Sequence, residues 1–146
     1  MSKMNLQNSF EEFCKQNKFE VNAQQIEILN SLNKFLHNRE TFLSLIFKKK
    51  EKLCFYLSGK VGVGKTMILN FVYNSLKIKK HRQHFNQFMI NFHDFRHKKK
   101  DENSIRAFVK KLKKEYDLIY LDEFQVTNIV DAMILGKLFE IIFEEN

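Results

Sequence analysis

Apolar side chains recur at regular spacing along most of this chain, and that spacing predicts its secondary structure. Between residues 23 and 37 they fall three or four positions apart, which predicts a helix with one apolar face. Asn22 stands just before this stretch and is a favourable residue to cap the helix. Asn103 and Ser104 are predicted to cap another helix. That helix is predicted over residues 104–116, and further helices over residues 7–17, 40–48, 65–78, 87–98 and 128–144.

Two short apolar runs, at residues 53–57 and 118–121, predict β-strands because both are too short for a helix. A further extended piece is predicted near residues 83–85. Since strands alternate with helices, crossover connections and a mainly parallel sheet are expected. No repeat, low-complexity tract or flexible linker interrupts the pattern. The sequence therefore predicts an α/β fold in which helices flank a parallel sheet.

Three of the chain's four glycines lie within eight consecutive residues that follow the first predicted strand. The octapeptide is Gly59-Lys60-Val61-Gly62-Val63-Gly64-Lys65-Thr66, which fits the phosphate-loop pattern G-x-x-x-x-G-K-[ST]. Glycine accepts positive φ and leaves the backbone open, so the N–H groups can surround an anion at a helix N-terminus. A nucleotide-binding loop is predicted over all eight residues, in preference to a glycine-rich turn. Lys65 is predicted to contact the β- and γ-phosphates and to act in catalysis, and the Thr66 hydroxyl to bind Mg²⁺.

Two acidic residues, Asp122 and Glu123, follow the second clear strand. In parallel α/β sheets ligands bind beyond the carboxyl ends of the strands, so these acids and the phosphate loop are predicted to share one rim. Mg²⁺ prefers carboxylate and phosphate oxygens, which suits Asp122 as a metal ligand. Glu123 is predicted to orient and deprotonate an attacking water. Because a kinase needs no water-activating acid, the pair favours ATP hydrolysis over transfer to another substrate.

The net charge of +8 comes largely from four basic runs, at residues 48–50, 79–82, 98–100 and 110–114. Such a charge can hold nucleic acid or an anionic membrane. The runs fall in different loops and helix ends without interleaved aromatic residues, which favours a solvated basic surface over a nucleic-acid site. No apolar run approaches the length of a membrane span, and the N-terminus lacks the apolar core of a secretion signal. A cytoplasmic protein is therefore predicted.

Four other side chains could carry metal or redox chemistry, and each has a simpler interpretation. His93 and His97 are four residues apart, as in the zinc-protease pattern H-E-x-x-H, but Asp94 replaces the glutamate and no third ligand is evident. Histidines on a helix surface are the simpler interpretation. Cys14 and Cys54 are far apart in the sequence, and two thiols are expected rather than a disulfide.

Residues 122–140 read D-E-F-Q-V-T-N-I-V-D-A-M-I-L-G-K-L-F-E, which resembles the signature of the ZapE family of AAA+ ATPases, with relatives of the Afg or lactation-elevated type. Residues 56–66, Y-L-S-G-K-V-G-V-G-K-T, and residues 84–89, H-F-N-Q-F-M, with His93 after them, resemble other motifs of that family. The likeness covers most of residues 53–143. Departures occur at Lys60, Val63, Asn86 and Asn128, although Asn128 can still cap a helix.

This resemblance implies a P-loop NTPase of AAA+ type that hydrolyses ATP with Mg²⁺ and is linked to bacterial cell division or to protein quality control. It further implies a ring-forming cytoplasmic protein, recruited to the inner membrane or to a division-machinery protein. We expect an N-terminal helical segment at residues 1–52, packed on a P-loop ATPase core at residues 53–146.

Family members continue beyond residue 143 into a sensor strand and an arginine finger, so the resemblance implies an α/β core that is incomplete at its C-terminus. Completion by a homo-oligomer or by a complementing C-terminal polypeptide is expected, with poor or absent turnover of the isolated chain. The apolar side chains of the last helix are interpreted as a partner surface: Ile134, Leu138, Ile141, Ile142 and Phe143.

Three other functions stay open. One is an inactive remnant or split-gene fragment that binds nucleotide or a partner without turnover. Another is a nucleic-acid-associated ATPase similar to helicase loaders, which the basic runs suggest although nucleic acid is the less favoured partner. The last is a small-molecule kinase, which Glu123 disfavours.

Overall fold

The computed structural model describes residues 6–37, 54–58, 64–99 and 103–144. The chain divides into two compact units, Met1–Leu76 and Lys77–Asn146. The first contains helices α1 (Leu6–Gln16), α2 (Ala23–His37) and α3 (Lys65–Ser75). The second contains, in chain order, β1 (Lys80–His84), α4 (Phe85–Lys99), α5 (Ser104–Glu115), β2 (Leu118–Asp122) and α6 (Ile129–Glu144). No helix in the described ranges combines the length and the apolar character needed to cross a bilayer.

The first unit is held together by three helices that each bury one apolar face. Side chains three or four positions apart on each helix point to one side, as the periodicity predicts. Residue Cys14 belongs to this core, and burial raises the pKa of its thiol. The buried residues are Leu6, Phe10, Cys14, Leu29, Leu32, Ile68 and Val72. The predicted helices over 7–17 and 23–37 are confirmed, the first displaced by one residue.

Helix α2 begins with a reciprocal cap. The Asn22 side-chain oxygen accepts a hydrogen bond from the Gln25 backbone N–H at 2.9 Å. In return, the Gln25 side-chain oxygen accepts one from the Asn22 backbone N–H at 3.2 Å. Each bond satisfies a backbone donor that has no partner within the helix, an arrangement called a capping box. The predicted capping role of Asn22 is confirmed.

Residues 54–58, which include most of the first predicted strand, have no regular secondary structure. Their side chains do alternate between exposed and half-buried, and the Phe55 ring centroid lies 5.7 Å from that of Phe35. A strand also requires hydrogen bonds to a neighbouring strand, and within the described residues only β1 and β2 pair in this way. The strand prediction is therefore wrong for residues 54–57, although their alternating burial is real, and residue 53 lies outside the described part of the chain.

Strands β1 and β2 of the second unit pair in parallel, from Lys80 opposite Leu118 to His84 opposite Asp122. Helices α4 and α5 form the connection between them, as parallel pairing requires. The predicted parallel pairing and the strand at 118–121 are confirmed. The extended piece predicted near 83–85 begins earlier, because β1 is polar and its strand character is invisible to an apolar pattern.

Helices α4, α5 and α6 enclose the second core. The Phe108 ring contacts three rings of α4, with centroid distances of 5.7, 5.2 and 5.3 Å to Phe88, Phe92 and Phe95. Burial of such rings and their edge contacts dominate core stability. The other buried members of this core are Phe85, Met89, Val109, Ile134, Leu135, Leu138 and Ile141.

Three expectations need correction here. The last helix does not present its apolar residues to a partner: Ile134, Leu138 and Ile141 are buried in the second core, and Ile142 is partly buried against it. Only Phe143 of the five predicted partner residues is exposed. Helix α5 begins as predicted, but the Asn103 side chain makes no capping hydrogen bond. Helix α3 ends at Ser75 because the next residue is extended, three residues before the predicted end.

We predict that Phe108→Ala lowers the free energy of unfolding by about 3 kcal/mol or more, because it removes a ring that three others contact. Phe143→Ala is the matched control, since that ring is 52% exposed, and it should cost about 1 kcal/mol or less. Urea unfolding followed by circular dichroism measures both. Equal losses in the two variants would contradict the assignment of this core.

Candidate functional site

The last glycine of the octapeptide adopts a backbone conformation that few other residues can take. Gly64 has φ 76° and ψ 19°, in the left-handed region, and helix α3 begins at the next residue. A Cβ on Gly64 would lie 2.7 Å from the Gln25 side-chain nitrogen. Both the dihedral and the close approach therefore require glycine. The octapeptide's first five residues, 59–63, lie outside the described part of the chain.

The first turn of α3 is suited to an anion. Lys65 is half-buried and Thr66 is exposed, and no acidic residue occupies this turn. The Gly64 carbonyl accepts the first helical hydrogen bond, from the Ile68 N–H at 3.1 Å. N–H groups at a helix start have no partner within the helix, and the helix dipole adds a partial positive charge. The turn therefore offers donors and positive potential to a phosphate group.

Asp122, the last residue of β2, is held by two neighbours on the same face of the sheet. Arg82 Nε donates a hydrogen bond to Asp122 Oδ2 at 2.5 Å. The parallel register places Arg82 beside Tyr120, and the guanidinium carbon lies 4.8 Å from the Tyr120 ring centroid. The Tyr120 side chain also forms a hydrogen bond with Asp122. Arg82, Tyr120 and Asp122 thus form one connected cluster.

This cluster keeps the Asp122 carboxyl ionised. Burial by itself would raise the pKa of Asp122, but hydrogen bonds from Arg82 and Tyr120 and the charge of Arg82 outweigh it and lower the pKa. Burial, the hydrogen bond to Asp122 and its negative charge raise the pKa of Tyr120. An ionised carboxylate is the kind of ligand that Mg²⁺ takes, so Asp122 fits the predicted metal-binding role, with Arg82 as its present partner.

Glu123 combines a strained backbone with an exposed side chain. Its φ of 51° is in the left-handed region, which residues other than glycine rarely adopt. Its side chain is 81% exposed, and Oε2 lies 3.8 Å from His84 Nδ1. A left-handed residue of this kind costs about 1–2 kcal/mol, and such residues concentrate at functional sites. The Glu123 carboxylate is therefore accessible at the end of β2.

The two halves of the predicted site lie in different units, and within each half the predicted residues lie next to one another. In the first unit, Gly64, Lys65 and Thr66 are consecutive beside Gln25. In the second, the two acids stand next to Arg82 and His84. That both halves act on one nucleotide stays a prediction. Sequence reasoning missed Arg82, which the pairing of 80–84 with 118–122 would have revealed, and Gln25, whose spacing from Asn22 fits a capping box.

His93 has a partner on α6. Its Nε2 lies 3.2 Å from Asp131 Oδ1. Asp131 also receives a hydrogen bond from Asn128, whose side-chain oxygen accepts from the Asp131 backbone N–H at 2.7 Å. The prediction that Asn128 can cap this helix is confirmed. In the described ranges, no group of three or more histidine, cysteine or acidic side chains is arranged to hold a metal ion.

Known proteins are similar in sequence to more than half of this chain. A family model described as AFG1-like ATPase matches residues 5–146. Lactation elevated protein 1 homolog B from Danio rerio is 39% identical over 103 residues, which are 62% of this chain and 20% of the relative. Cell division protein ZapE from Escherichia coli K12 is 36% identical over 90 residues, 60% of this chain and 24% of the relative. The chain thus spans under a quarter of these relatives. No solved structure matches it.

We predict that Arg82→Ala raises the pKa of Asp122, because it removes the hydrogen bond and the positive charge that stabilise the ionised carboxylate. In the wild type the lowered pKa stabilises the fold above the unfolded value of about 3.9, and this contribution is lost as pH falls through the folded value. The variant should therefore be less stable by about 1 kcal/mol at neutral pH, a modest figure because Arg82 is partly exposed.

A ¹³C NMR titration of the Asp122 carboxyl measures the pKa directly. Urea unfolding at pH 7 and pH 3 measures the loss of stability. Asp122→Asn provides the control background, in which Arg82→Ala should cost little. An unchanged Asp122 titration in the Arg82 variant would refute the assigned cause.

Proposed function

The chain belongs to the AFG1-like ATPase family, and on that premise we propose that it binds ATP with Mg²⁺ and hydrolyses ATP to ADP and phosphate. The observation that carries the proposal is the octapeptide, whose last glycine is left-handed at the start of α3. The absence of acidic residues from the first turn of α3 supports it, because a negative charge there would repel phosphate.

Each predicted site residue has a role in this proposal. The backbone of Gly59-Lys60-Val61-Gly62-Val63-Gly64 surrounds the phosphates, and Lys65 contacts their oxygens and offsets charge that develops on the transferred group. Thr66 and Asp122 would hold Mg²⁺, which would supply charge neutralisation to the phosphates. Glu123 accepts a proton from the attacking water.

The ionised state of Asp122 and the exposure of Glu123 support these roles. A protonated carboxyl would be a poor ligand for a hard cation, and the lowered pKa of Asp122 avoids that state. A general base must be able to reach a water molecule, and the Glu123 side chain is 81% exposed. The assignment of both acids to the same nucleotide as Lys65 comes from the order of the motifs in the sequence.

The wider role is proposed from the family. The Escherichia coli relative is named a cell division protein, and we propose a link to cell division or protein quality control for this chain. A cytoplasmic location, peripheral membrane attachment, and assembly as a homo-oligomer or with a complementing polypeptide belong to the same proposal.

A second candidate function, an ATPase that acts on nucleic acid, is favoured by one contact. Two of the basic runs converge on one aromatic ring of the second unit: Lys99 Nζ lies 5.6 Å and Lys111 Nζ 5.8 Å from the Phe95 ring centroid. The sequence shows no such interleaving of lysines with an aromatic residue, because the two lysines lie on different helices. Lysines around an aromatic ring suit a phosphate backbone with an adjacent base.

We predict that the wild-type chain binds Mg²⁺–ATP and that Lys65→Ala weakens this binding by tenfold or more (about 1.4 kcal/mol), since it removes the charge that contacts the phosphates. Glu123→Gln should keep the wild-type affinity and lower phosphate release by about 100-fold or more, because only the proton acceptor is lost. Isothermal titration calorimetry and a phosphate-release assay measure the two effects. Unaltered binding in the Lys65 variant would contradict the proposed nucleotide site.

For the second candidate, we predict that Lys99→Ala with Lys111→Ala reduces the salt dependence of single-stranded DNA binding. Removal of two phosphate contacts should lower the slope of log affinity against log salt by about 1.4. Lys137→Ala is the control, because that exposed lysine lies on α6 and is paired with Glu140. Fluorescence anisotropy over a salt series measures the slope. Failure of the wild type to bind DNA at low salt would eliminate this candidate.

A further inference from the structure

Gln25 is a buried polar residue whose side chain serves two helix starts. It is 6% exposed, and it and Ser104 are the buried polar residues of the described ranges. Its oxygen completes the cap of α2 by accepting from the Asn22 N–H at 3.2 Å. Its nitrogen faces Gly64, 2.7 Å from the position that a Cβ would occupy. The nitrogen end of this buried amide therefore lies against the backbone at the start of α3.

The nitrogen lies beside a residue of the predicted phosphate loop. Gly64 is the last glycine of the octapeptide and immediately precedes the first turn of α3. Helices α2 and α3 share one core, with Leu29 and Ile68 both fully buried in it. Gln25 is therefore anchored at one end by the cap and is pressed at the other end against the backbone that leads into the phosphate-binding turn.

We propose that Gln25 is a positioning residue of the phosphate loop, whose side-chain amide keeps Gly64 in the left-handed conformation that aims the first turn of α3 at phosphate. This inference rests on the proposed function, because it assumes that this turn binds a nucleotide. Gln25 acts through Gly64 and is given no contact with the nucleotide itself. The arrangement ties the start of α2 to the anion site.

A purely structural role, in which Gln25 only caps α2, makes a different prediction. Gln25→Glu keeps the oxygen that accepts from Asn22, so the cap survives. The same change removes the amide donor and brings a negative charge next to the anion-binding turn. Gln24 is its neighbour on the same helix turn and is exposed, so Gln24→Glu adds an equal charge away from Gly64 and serves as the matched control.

The experiment titrates Mg²⁺–ATP into wild type, Gln25→Glu, Gln24→Glu and Lys65→Ala, with the melting temperature of each variant measured without nucleotide. Gln25→Glu should weaken the affinity by at least about tenfold, since it removes the amide beside Gly64 and adds a negative charge next to the phosphate-binding turn. Its melting temperature should fall below that of Gln24→Glu, because a carboxylate replaces a buried amide, so all titrations are made well below the lowest melting temperature. Gln24→Glu should bind as the wild type does. Equal affinities of the Gln25 and Gln24 variants would overturn the inference while the proposed function stands.

A second arm needs no nucleotide. Gly64→Ala introduces both the backbone strain and the steric conflict with Gln25, whereas in a Gln25→Ala background only the strain remains. The destabilisation by Gly64→Ala, measured by urea unfolding, should therefore be smaller in that background. Additive losses would refute the Gln25–Gly64 contact. Coupled losses in a wild type that binds no nucleotide would support the contact and refute the proposed function.

Discussion

Parallel pairing of β1 with β2 determines the arrangement of the second unit. Because parallel strands cannot be joined by a tight turn, α4 and α5 must both fit into the connection, and their rings then pack around Phe108. The same pairing brings the carboxyl ends of both strands to one edge. Arg82 thereby reaches Asp122 across 40 positions of sequence, and the acid is held ionised where a ligand can approach.

The first unit depends on a different constraint, the crowding at the start of α3. A left-handed residue and a closely packed amide leave no room for a side chain at Gly64. The three helices of this unit bury apolar faces that any similar residues could supply, but this junction tolerates one residue type. The stability of this unit therefore depends on its core, whereas the proposed phosphate binding depends on the junction at Gly64.

Much of this organisation could be predicted from the sequence where a local signal exists. Helical periodicity located α2 and α6 to within a residue, and Asn22 marked a helix start because capping is a local interaction. The polar strand β1 was mostly missed, since its character comes from pairing with β2 and not from its own residues. The burial of Ile134 and Leu138 was misjudged for the same reason: an apolar face does not indicate which surface will cover it.

The candidate site, too, could be predicted from the sequence only in part. The octapeptide and the Asp122–Glu123 pair could be identified because such motifs are contiguous in sequence. Arg82 and Gln25 could not, because their importance arises from contacts with residues 40 and 39 positions away. The role of a charged or amide side chain can be identified only when the fold shows which residue it contacts.

The backbone of Glu123 has a further consequence. A glycine at this position would relieve the left-handed strain and would make the turn after β2 easier to form. The chain carries a glutamate there instead, so this turn is less stable than its own backbone geometry would allow. A glutamate at such a position is expected where the function of its carboxylate outweighs the stability that a glycine would add.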